Sequence, residues 1–332
     1  MGWKDRLRGT YLSLPAHLRP SRRSAAAAGR LHVIGNCQAQ AVAHAMRALL
    51  PEREVMFVSA FGIATRFPRM TDLVAATGND EAVFATAFSG PFRDGGGFED
   101  LRRRTRLIQI PTVVFPAFHP DAIYVGSEEG GHGLVYGPMG GYHSALALYA
   151  YLEGFGTEAA LRLFEGKTFR RLGYLDLWEP SVATLAELGH DAGYPLDADI
   201  LRWSRRGAFM HGINHPKMYV AADLARGLLA KAGIPFEDAD LDTYLPDDFI
   251  RSGTWPVYPA IGEHYGVPAS ELFLKAPTLK TGPARTLSLR TFVEASFASY
   301  GKRDRARLVS ARVEGWRADA ALRTDLAGLA RA

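Results

Sequence analysis

The stretch LHVIGNCQAQAVAHAMRALLP, residues 31–51, predicts a strand, a tight turn and a helix in direct succession. Leu31 to Ile34 is a short apolar run of the kind that forms a buried strand. Gly35 permits the turn, and the helix predicted for Gln38 to Leu50 ends beside Pro51, which cannot continue it. A strand followed at once by a helix is typical of an α/β fold.

Further apolar runs repeat this pattern along the first third of the chain, at Val55 to Val58, Ala82 to Thr86 and Leu107 to Phe115. They predict a short parallel-type sheet, and after about residue 143 the chain is mainly helical. Helices are predicted near 143–153, 157–165, 180–189, 217–231, 288–299 and 303–330. We therefore expect one catalytic domain at 31–332, with an α/β part at 31–142 and a mainly helical part at 143–332.

Composition restricts the class of protein. With 332 residues, 47% of them hydrophobic, the chain can bury a substantial core. It has one cysteine, no N-terminal apolar signal and no apolar run long enough to span a membrane, so a cytoplasmic location is expected. The net charge of +4 suits a small anionic ligand at least as well as a nucleic acid, and no nucleic-acid partner is expected.

Residues 1–30 form a basic segment, with seven Lys and Arg against the single acid Asp5. We interpret it as a partly disordered tail or linker with a solvated basic surface. The alternative is a weak contact with a partner enzyme or with the inner face of the membrane, where the protein would be peripheral.

Cys37 lies at the predicted turn between the strand and the helix. The unpaired N–H groups and the positive end of the dipole at a helix N-terminus favour thiolate over thiol, which suits a nucleophile. The same N–H groups, with the amides of Asn36 and Gln38, would surround an oxyanion as an acyl carbonyl is attacked. The alternative is a buried cysteine that acts as a small hydrophobic residue.

Two polar clusters follow in the sequence. In FPAFHPDAIYVG, His119 and Asp121 come directly after an apolar run, where ligands gather in α/β sheets. In GPMGGYHSALALYAYLEG, a glycine-rich loop delivers Tyr142, His143 and Ser144 to the start of a helix. Capping of that helix by His143 or Ser144, with Tyr142 packed inside, is the structural alternative.

A third cluster, FMHGINHPKMYVAADLARGLLAKAG, predicts a helix with Pro216 at its first position and His215 at its N-cap. The dipole there disfavours imidazolium, so His215 would stay neutral and able to accept a proton, as a general base must. His211 is four residues earlier, but Gly212 and the proline argue against one helix carrying both histidines. No metal site is expected, since the chain has no second cysteine and no HExxH pattern.

GKTFRR, residues 166–171, supplies Lys167, Arg170 and Arg171. This stretch lacks the earlier glycine of a phosphate-binding loop, but three cations on one short segment would still suit phosphate groups. A solvent-exposed basic face is the alternative interpretation.

The motifs IGNCQ, FHPD, YHS and NHP, in this order, resemble the family of capsular polysaccharide biosynthesis enzymes typified by WcbI. The resemblance extends from about Leu31 to roughly residue 300 and includes VYPAIGEHYGVP at 257–268. It implies an acyl-CoA-dependent O-acyltransferase that moves an acetyl group to a sugar hydroxyl of a surface polysaccharide precursor. Cys37 would be the reactive thiol, and the histidines of the other three motifs would lie in or near the pocket.

Coenzyme A or acetyl-CoA is therefore the expected cofactor, as acyl donor, and a sugar or glycan precursor is the expected acceptor. The candidate contacts to the coenzyme are Gly35, Asn36, Gln38, Tyr142, Ser144, Asn214, Lys167, Arg170 and Arg171. Asp121 would orient an imidazole. Three alternatives stay open: direct transfer with Cys37 only lining the thiol site, a cysteine-dependent esterase, and a non-catalytic glycan- or nucleotide-binding protein of polysaccharide assembly.

Overall fold

The computed structural model describes residues 29–90, 92–127, 133–276 and 284–331. Most of the basic segment predicted at 1–30 lies outside these residues. Within the described ranges, no helix combines the length and the apolar character that crossing a membrane requires.

Four parallel strands form the main sheet in the order β2-β1-β3-β4. They are β1 (Arg30–Gly35), β2 (Glu54–Ser59), β3 (Ala82–Ala85) and β4 (Leu107–Gln109). Together with the helical remainder of the chain, this sheet confirms the predicted α/β fold. The last strand is shorter than the predicted Leu107 to Phe115, because Pro111 has no N–H to donate to a neighbouring strand.

The helices of the N-terminal part lie on both faces of this sheet. They are α1 (Cys37–Leu49), α2 (Ile63–Arg66), α3 (Met70–Thr77) and α4 (Phe98–Arg104). Alternate residues of β1 point to opposite faces, so Leu31 and Val33 join the main core whereas Ile34 joins a smaller one with Leu73 and Leu101. Burial on both faces explains why the central residues of the strands are mostly apolar, and the buried polar exception in β1, His32, pairs with Asp80.

The rest of the chain adds helices and four antiparallel two-stranded pairs, β5–β8, β6–β7, β9–β10 and β11–β12. In chain order the elements are β5 (Ala122–Tyr124), β6 (Gly126–Ser127), β7 (Gly133–Leu134), β8 (Tyr142–Ser144), α5 (Ala145–Leu152), α6 (Thr157–Leu161), α7 (Gly166–Arg171), α8 (Trp178–Asp191), α9 (Asp197–Ser204), β9 (Met210–Gly212), β10 (His215–Pro216), α10 (Met218–Lys231), α11 (Leu241–Tyr244), α12 (Pro259–Tyr265), β11 (Phe273–Lys275), β12 (Arg285–Leu287), α13 (Leu289–Tyr300), α14 (Ala311–Ala318) and α15 (Ala320–Arg331).

One contiguous hydrophobic core joins the sheet to these later helices. It runs from Leu31 in β1 to Ala330 in α15 and includes both α1 and α10, which pack against each other. The long helix predicted at 303–330 is two helices, because Asp319 adopts an extended backbone between α14 and α15. The core holds the first helix of the sheet and the later histidine-bearing segments in fixed positions relative to each other.

Candidate functional site

The turn after β1 lies at the point where the strand order reverses. The chain leaves β1 for β2 on one side and later returns to β3 on the other, which opens a crevice at the carboxyl ends of β1 and β3. Gly35 ends β1 there, and the backbone passes so close to its surroundings that a Cβ would lie 2.6 Å from Cβ of Ala39 and would also collide with the hydroxyl of Thr86. Glycine is therefore required where the chain turns into α1.

Asn36 and Cys37 form the start of α1. Oδ1 of Asn36 accepts hydrogen bonds from the backbone N–H groups of Gln38 at 2.9 Å and Ala39 at 3.4 Å, so this side chain caps the helix. Cys37 is the first helical residue and is exposed, and it is the single cysteine of the chain.

The thiol of Cys37 is not the thiolate that the helix dipole predicts. Desolvation by the surrounding protein raises its pKa, and the opposing contributions of the backbone N–H groups of Gln38 and Cys37 itself are smaller. The prediction of a stabilised thiolate is therefore wrong for the free protein. Any nucleophilic role requires a base or a bound substrate to remove the thiol proton.

Gln38 fixes the turn to two distant segments. Its Nε2 donates to the carbonyl oxygens of Val113 and Asn214, both at 2.8 Å, and its Oε1 accepts from the N–H of Val113 at 2.9 Å. The amide is buried and uses both of its polar atoms in these bonds. Gln38 thus positions the Asn214 loop against the start of α1, and both polar atoms of its amide are used within the protein.

Tyr142 contacts both Asn214 and His215. Its hydroxyl donates to Oδ1 of Asn214 and is 3.1 Å from Nδ1 of His215, and its charge state is coupled electrostatically to Cys37. Nδ2 of Asn214 in turn donates to the hydroxyl of Tyr124 at 3.1 Å, and the rings of Tyr124 and Tyr142 stack at 5.1 Å. Burial raises the pKa of Tyr142, so the phenol stays protonated.

This network determines the tautomer of His215. Because Tyr142 has one hydroxyl proton and donates it to Asn214, Nδ1–H of His215 is the donor in the contact with Tyr142. Nε2 of His215 is then the unprotonated, basic nitrogen. Among the described residues no hydrogen bond joins Cys37 directly to a histidine, and Tyr142 is the side chain that contacts His215 and also interacts electrostatically with Cys37.

The position of His215 differs from the prediction. It lies in β10, paired with β9, and α10 begins only at Met218 with Lys217 as its N-cap. Its pKa is lowered to about 4, first by burial and then by the electrostatic effect of the neighbouring His211, with a smaller opposing effect of Asp247. His215 is therefore neutral at pH 7 as predicted, but burial is the main cause and the helix dipole is not.

A second group of polar side chains lies next to His215. Nε2 of His211 is 2.7 Å from Oδ2 of Asp247, which also accepts from the N–H of Met218 at 3.0 Å. His211 and Lys217 line a cavity of about 260 Å³ that His119 also borders. The ring nitrogens of buried His119 face the carbonyl oxygens of Met210 and Pro256 at 3.2 and 3.3 Å, and burial lowers its pKa to about 4.

His143 points away from this site. Successive residues of a strand face opposite sides, so Tyr142 enters the crevice while His143 packs into the core behind it. Its Nε2 lies 2.9 Å from the carbonyl oxygen of Val135, and its Nδ1 lies 3.0 Å from the hydroxyl of Tyr300. Both ring nitrogens are therefore used within the protein.

Asp121 and Ser144 also lie in the interior. The fully buried carboxylate of Asp121 accepts from the N–H of Leu146 at 2.9 Å and from the hydroxyls of Tyr174 and Tyr258 at 3.2 and 3.1 Å. None of these partners is an imidazole, so the geometry does not place Asp121 as an orienting residue. Ser144 caps α5 through its hydroxyl.

The basic residues of α7 lie at a different part of the surface. Lys167 is exposed, and Arg171 pairs with Asp325 of α15 at 2.7 Å. Arg170 borders a depression that also contains Glu165, Glu263 and Glu271. Acidic side chains outnumber the guanidinium there, so this depression disfavours phosphate.

Three residues of the site were not predicted as site residues from the sequence. They are Tyr124, Asp247 and His211, which pairs with Asp247. Tyr124 faces Tyr142 directly across the β5–β8 pair, a register that emerges only when the strands pair. The sequence carries no local signal for Asp247, whose histidine partner lies far away in the chain. Among the described residues no group of three metal-ligating side chains occurs.

No protein with a curated description matches the chain. A solved structure of WcbI, described as a novel polysaccharide biosynthesis enzyme in its native form without a disulfide bond between coenzyme A and a cysteine, has a TM-score of 0.66 at 16% identity. The similarity covers 91% of this chain and 99% of that one, and it shows a shared fold.

A family model described as polysaccharide biosynthesis enzyme WcbI matches residues 30–237, which include the turn at Cys37, Tyr142 and the β9–β10 hairpin. The match covers more than half of the chain and confirms the predicted family. The chain belongs to the WcbI family of polysaccharide biosynthesis enzymes.

Proposed function

We propose that the protein is an acyl-CoA-dependent O-acyltransferase that moves an acyl group, expected to be acetyl, to a sugar hydroxyl of a polysaccharide precursor. The observation that carries this proposal is the single cysteine at the switch point of the sheet, near Tyr142, whose hydroxyl contacts a neutral histidine. Coenzyme A and a cysteine are also named together in the description of the similar WcbI structure, which supports a thiol-binding crevice in this fold.

In the first half of the reaction, Sγ of Cys37 attacks the acyl carbon of the thioester. The new bond joins Sγ to that carbon, the carbon–sulfur bond to coenzyme A breaks, and the thiol proton leaves on the coenzyme A sulfur. One thioester replaces another, so the exchange is close to thermodynamically neutral. The backbone N–H groups of Gln38 and Ala39 at the start of α1 already donate to Oδ1 of Asn36, so we do not assign them to the oxyanion of this step.

In the second half, the sugar hydroxyl attacks the acyl carbon and Cys37 leaves. Nε2 of His215 is the basic nitrogen in the network, so it accepts the hydroxyl proton and returns it to the sulfur. A pKa of about 4 keeps His215 unprotonated at neutral pH but makes it a weak base, so the proton must transfer as the new ester bond forms.

The direct route differs in one respect. There, His215 deprotonates the sugar hydroxyl, which attacks the thioester of coenzyme A itself, and Cys37 lines the site of the coenzyme A sulfur. The raised pKa of the Cys37 thiol is the observation that favours this variant.

Intact-protein mass spectrometry after brief incubation with acetyl-CoA separates the two routes. We expect one acetyl adduct on the native protein, none on Cys37→Ala, and loss of the adduct when a sugar acceptor is added. His215→Gln should retain the adduct and lose transfer to the acceptor, whereas His264→Gln, an exposed histidine on α12, should behave as native. Acetylated sugar without any adduct would establish direct transfer, and hydrolysis of simple esters without coenzyme A would overturn the proposal in favour of an esterase.

A further inference from the structure

The cavity lined by His211 and Lys217 beside the β9–β10 hairpin, called the hairpin cavity below, is separate from the crevice at Cys37. Its volume is about 260 Å³, and neither Cys37 nor His215 is among its described lining residues. Much of its wall comes from the segment 254–274, which leads into β11. The reaction proposed above does not use this cavity.

Lys217 supplies a positive charge to the hairpin cavity. Among the described residues, none forms a hydrogen bond or an ion pair with its ammonium group. The side chain is half-buried, and burial lowers the pKa of the ammonium, with smaller effects of Asp247, which raises it, and of Arg206, which lowers it. The carboxylate of Asp247 is bonded to His211 at 2.7 Å and to two backbone N–H groups. A half-buried ammonium without a hydrogen-bonded partner is a group that a bound anion would stabilise.

Arg206 adds further donors to the same cavity. Its Nη2 donates to Asp242 at 2.6 Å, and the guanidinium lies 3.7 Å from the centre of the Tyr219 ring. A guanidinium has five N–H donors, so these contacts leave others for a ligand. The described lining of the cavity contains no Asp or Glu, so a ligand bound there would not contact a carboxylate. The cavity therefore favours an anionic group.

The rest of the lining is mostly apolar, and part of it is exposed. Leu272 and Leu274 flank the buried Phe273 at the start of β11, so both point to the same side, and each is 45% exposed. Pro268 and Ala269 also line the cavity and are also exposed. Exposed apolar side chains grouped at a cavity are typical of a site for a ligand with an apolar part.

We propose that the hairpin cavity binds an amphiphilic anion, with its acid group on Lys217 and its apolar chain against Leu272 and Leu274. Since a group the size of water takes about 30 Å³ in a liquid, the cavity has room for an acid group and a chain of about six to eight carbon atoms. A sugar is a poor match, because most of the side chains that line the cavity offer no hydrogen bond to its hydroxyls.

Calorimetric titration with octyl phosphate, octanoate, inorganic phosphate and 1-octanol tests the proposal. The first two probes combine an acid group with an apolar chain, and each of the last two has only one of these parts. We expect both amphiphilic probes to bind the native protein at least about tenfold more tightly than either partial probe, because they fill both parts of the cavity. The tighter of the two identifies the acid group as phosphate or carboxylate. Saturating coenzyme A should leave their binding unchanged, because the cavity is separate from the crevice at Cys37.

Three variants and a control locate the binding. Lys217→Met removes the charge and keeps an unbranched side chain, so both amphiphilic probes should bind about tenfold more weakly, whereas Lys217→Arg should bind nearly as native does. Leu274→Ala should weaken the amphiphilic probes about threefold and leave inorganic phosphate unaffected. The matched control is Lys302→Met, which removes an exposed ammonium elsewhere and should bind as native does.

The contrary outcomes are equally definite. Equal affinities of native and Lys217→Met for octyl phosphate would overturn the proposal, and so would 1-octanol that binds as tightly as octyl phosphate, or a native protein that binds none of the four probes. Displacement of octyl phosphate by coenzyme A would assign the cavity to the crevice and would also overturn it. No probe carries a transferable acyl group, so these results do not depend on the proposed acyltransferase activity. Circular dichroism and urea unfolding of each variant establish that the fold is unchanged.

Discussion

At the scale of single residues, the reactivity of the site depends on desolvation more than on the helix that carries the cysteine. Cys37 begins α1, where the dipole favours a thiolate, yet the surrounding protein raises its pKa. Desolvation also shifts the pKa of His215, but downward, because burial disfavours the charged imidazolium. Both side chains are therefore uncharged in the free protein at neutral pH, and substrate binding must supply the driving force for proton movement.

The rate at which Cys37 reacts with iodoacetamide should rise about tenfold per pH unit between pH 7 and 8.5, because the thiolate is the reactive species and remains a minor one in this range. Mass spectrometry of the labelled chain measures the rate without interference, since no other cysteine is present. A rate that is already constant below pH 7 would show that the helix N-terminus does stabilise the thiolate.

Tyr142→Phe should lower the rate of transfer to a sugar acceptor by about tenfold to a hundredfold, because the phenol fixes the tautomer of His215. The ring, its stacking on Tyr124 and the fold should be retained. The matched control is Tyr136→Phe, which removes the hydroxyl of an exposed tyrosine. Equal transfer rates for the two variants would remove Tyr142 from the mechanism.

At the scale of elements, a buried amide joins three segments at the crevice. Gln38 connects α1 to the extended chain after β4 and to the loop between β9 and β10 through three hydrogen bonds. Backbone pairing in a parallel sheet ends where the strands end. The loops at the carboxyl ends of the strands are therefore held by side-chain hydrogen bonds such as these. The position of Asn214 and His215 relative to the start of α1 depends on this amide.

Gln38→Ala should lower the free energy of unfolding by about 3 kcal/mol, since it leaves buried N–H and C=O groups of Val113 and Asn214 without partners. Urea unfolding followed by circular dichroism measures the change. Gln40→Ala, two residues later on the exposed face of α1, should change it by less than about 0.5 kcal/mol. Similar values for both variants would contradict the bridging role of Gln38.

At the scale of the whole molecule, the main core encloses polar groups whose pKa values burial shifts from their ordinary range. His119 is fully buried between backbone carbonyls, and its pKa is about 4. An unfolded histidine titrates near 6.5, so between these pH values the unfolded chain binds a proton that the folded protein does not. This contribution to stability is complete above pH 6.5 and is lost as the pH falls toward 4.

Between pH 7 and 5, the native protein should therefore lose about 2 kcal/mol more of its free energy of unfolding than His119→Gln does. Urea titrations of both proteins at the two pH values measure the difference. Other titrating groups, including the buried Asp121 whose raised pKa acts in the opposite direction, are common to both proteins and cancel. Parallel pH profiles would show that His119 is protonated as readily in the folded state as in the unfolded state.

The strands of the main sheet, the helix that follows β1 and the turn at Cys37 can be predicted from residues that are neighbours in the chain. Apolar runs bounded by Gly35, Pro51 and similar residues predict strands and helices because their periodicity and backbone restrictions are local properties. The sequence also predicted that His215 is neutral, with the helix dipole as the cause. His215 lies in β10 and not at a helix start, and burial is what lowers its pKa.

Tertiary packing determines which polar side chains contact each other. Successive side chains of a strand point to opposite faces, so within YHS Tyr142 faces the crevice and His143 faces the core. The motif alone does not specify which of the two faces the crevice. The partners of Gln38, of Tyr142 and of His211 all lie far away in the chain. Such contacts, and the desolvation that raises the pKa of Cys37, arise from the packing of the whole core, so they cannot be derived from residues that are neighbours in sequence.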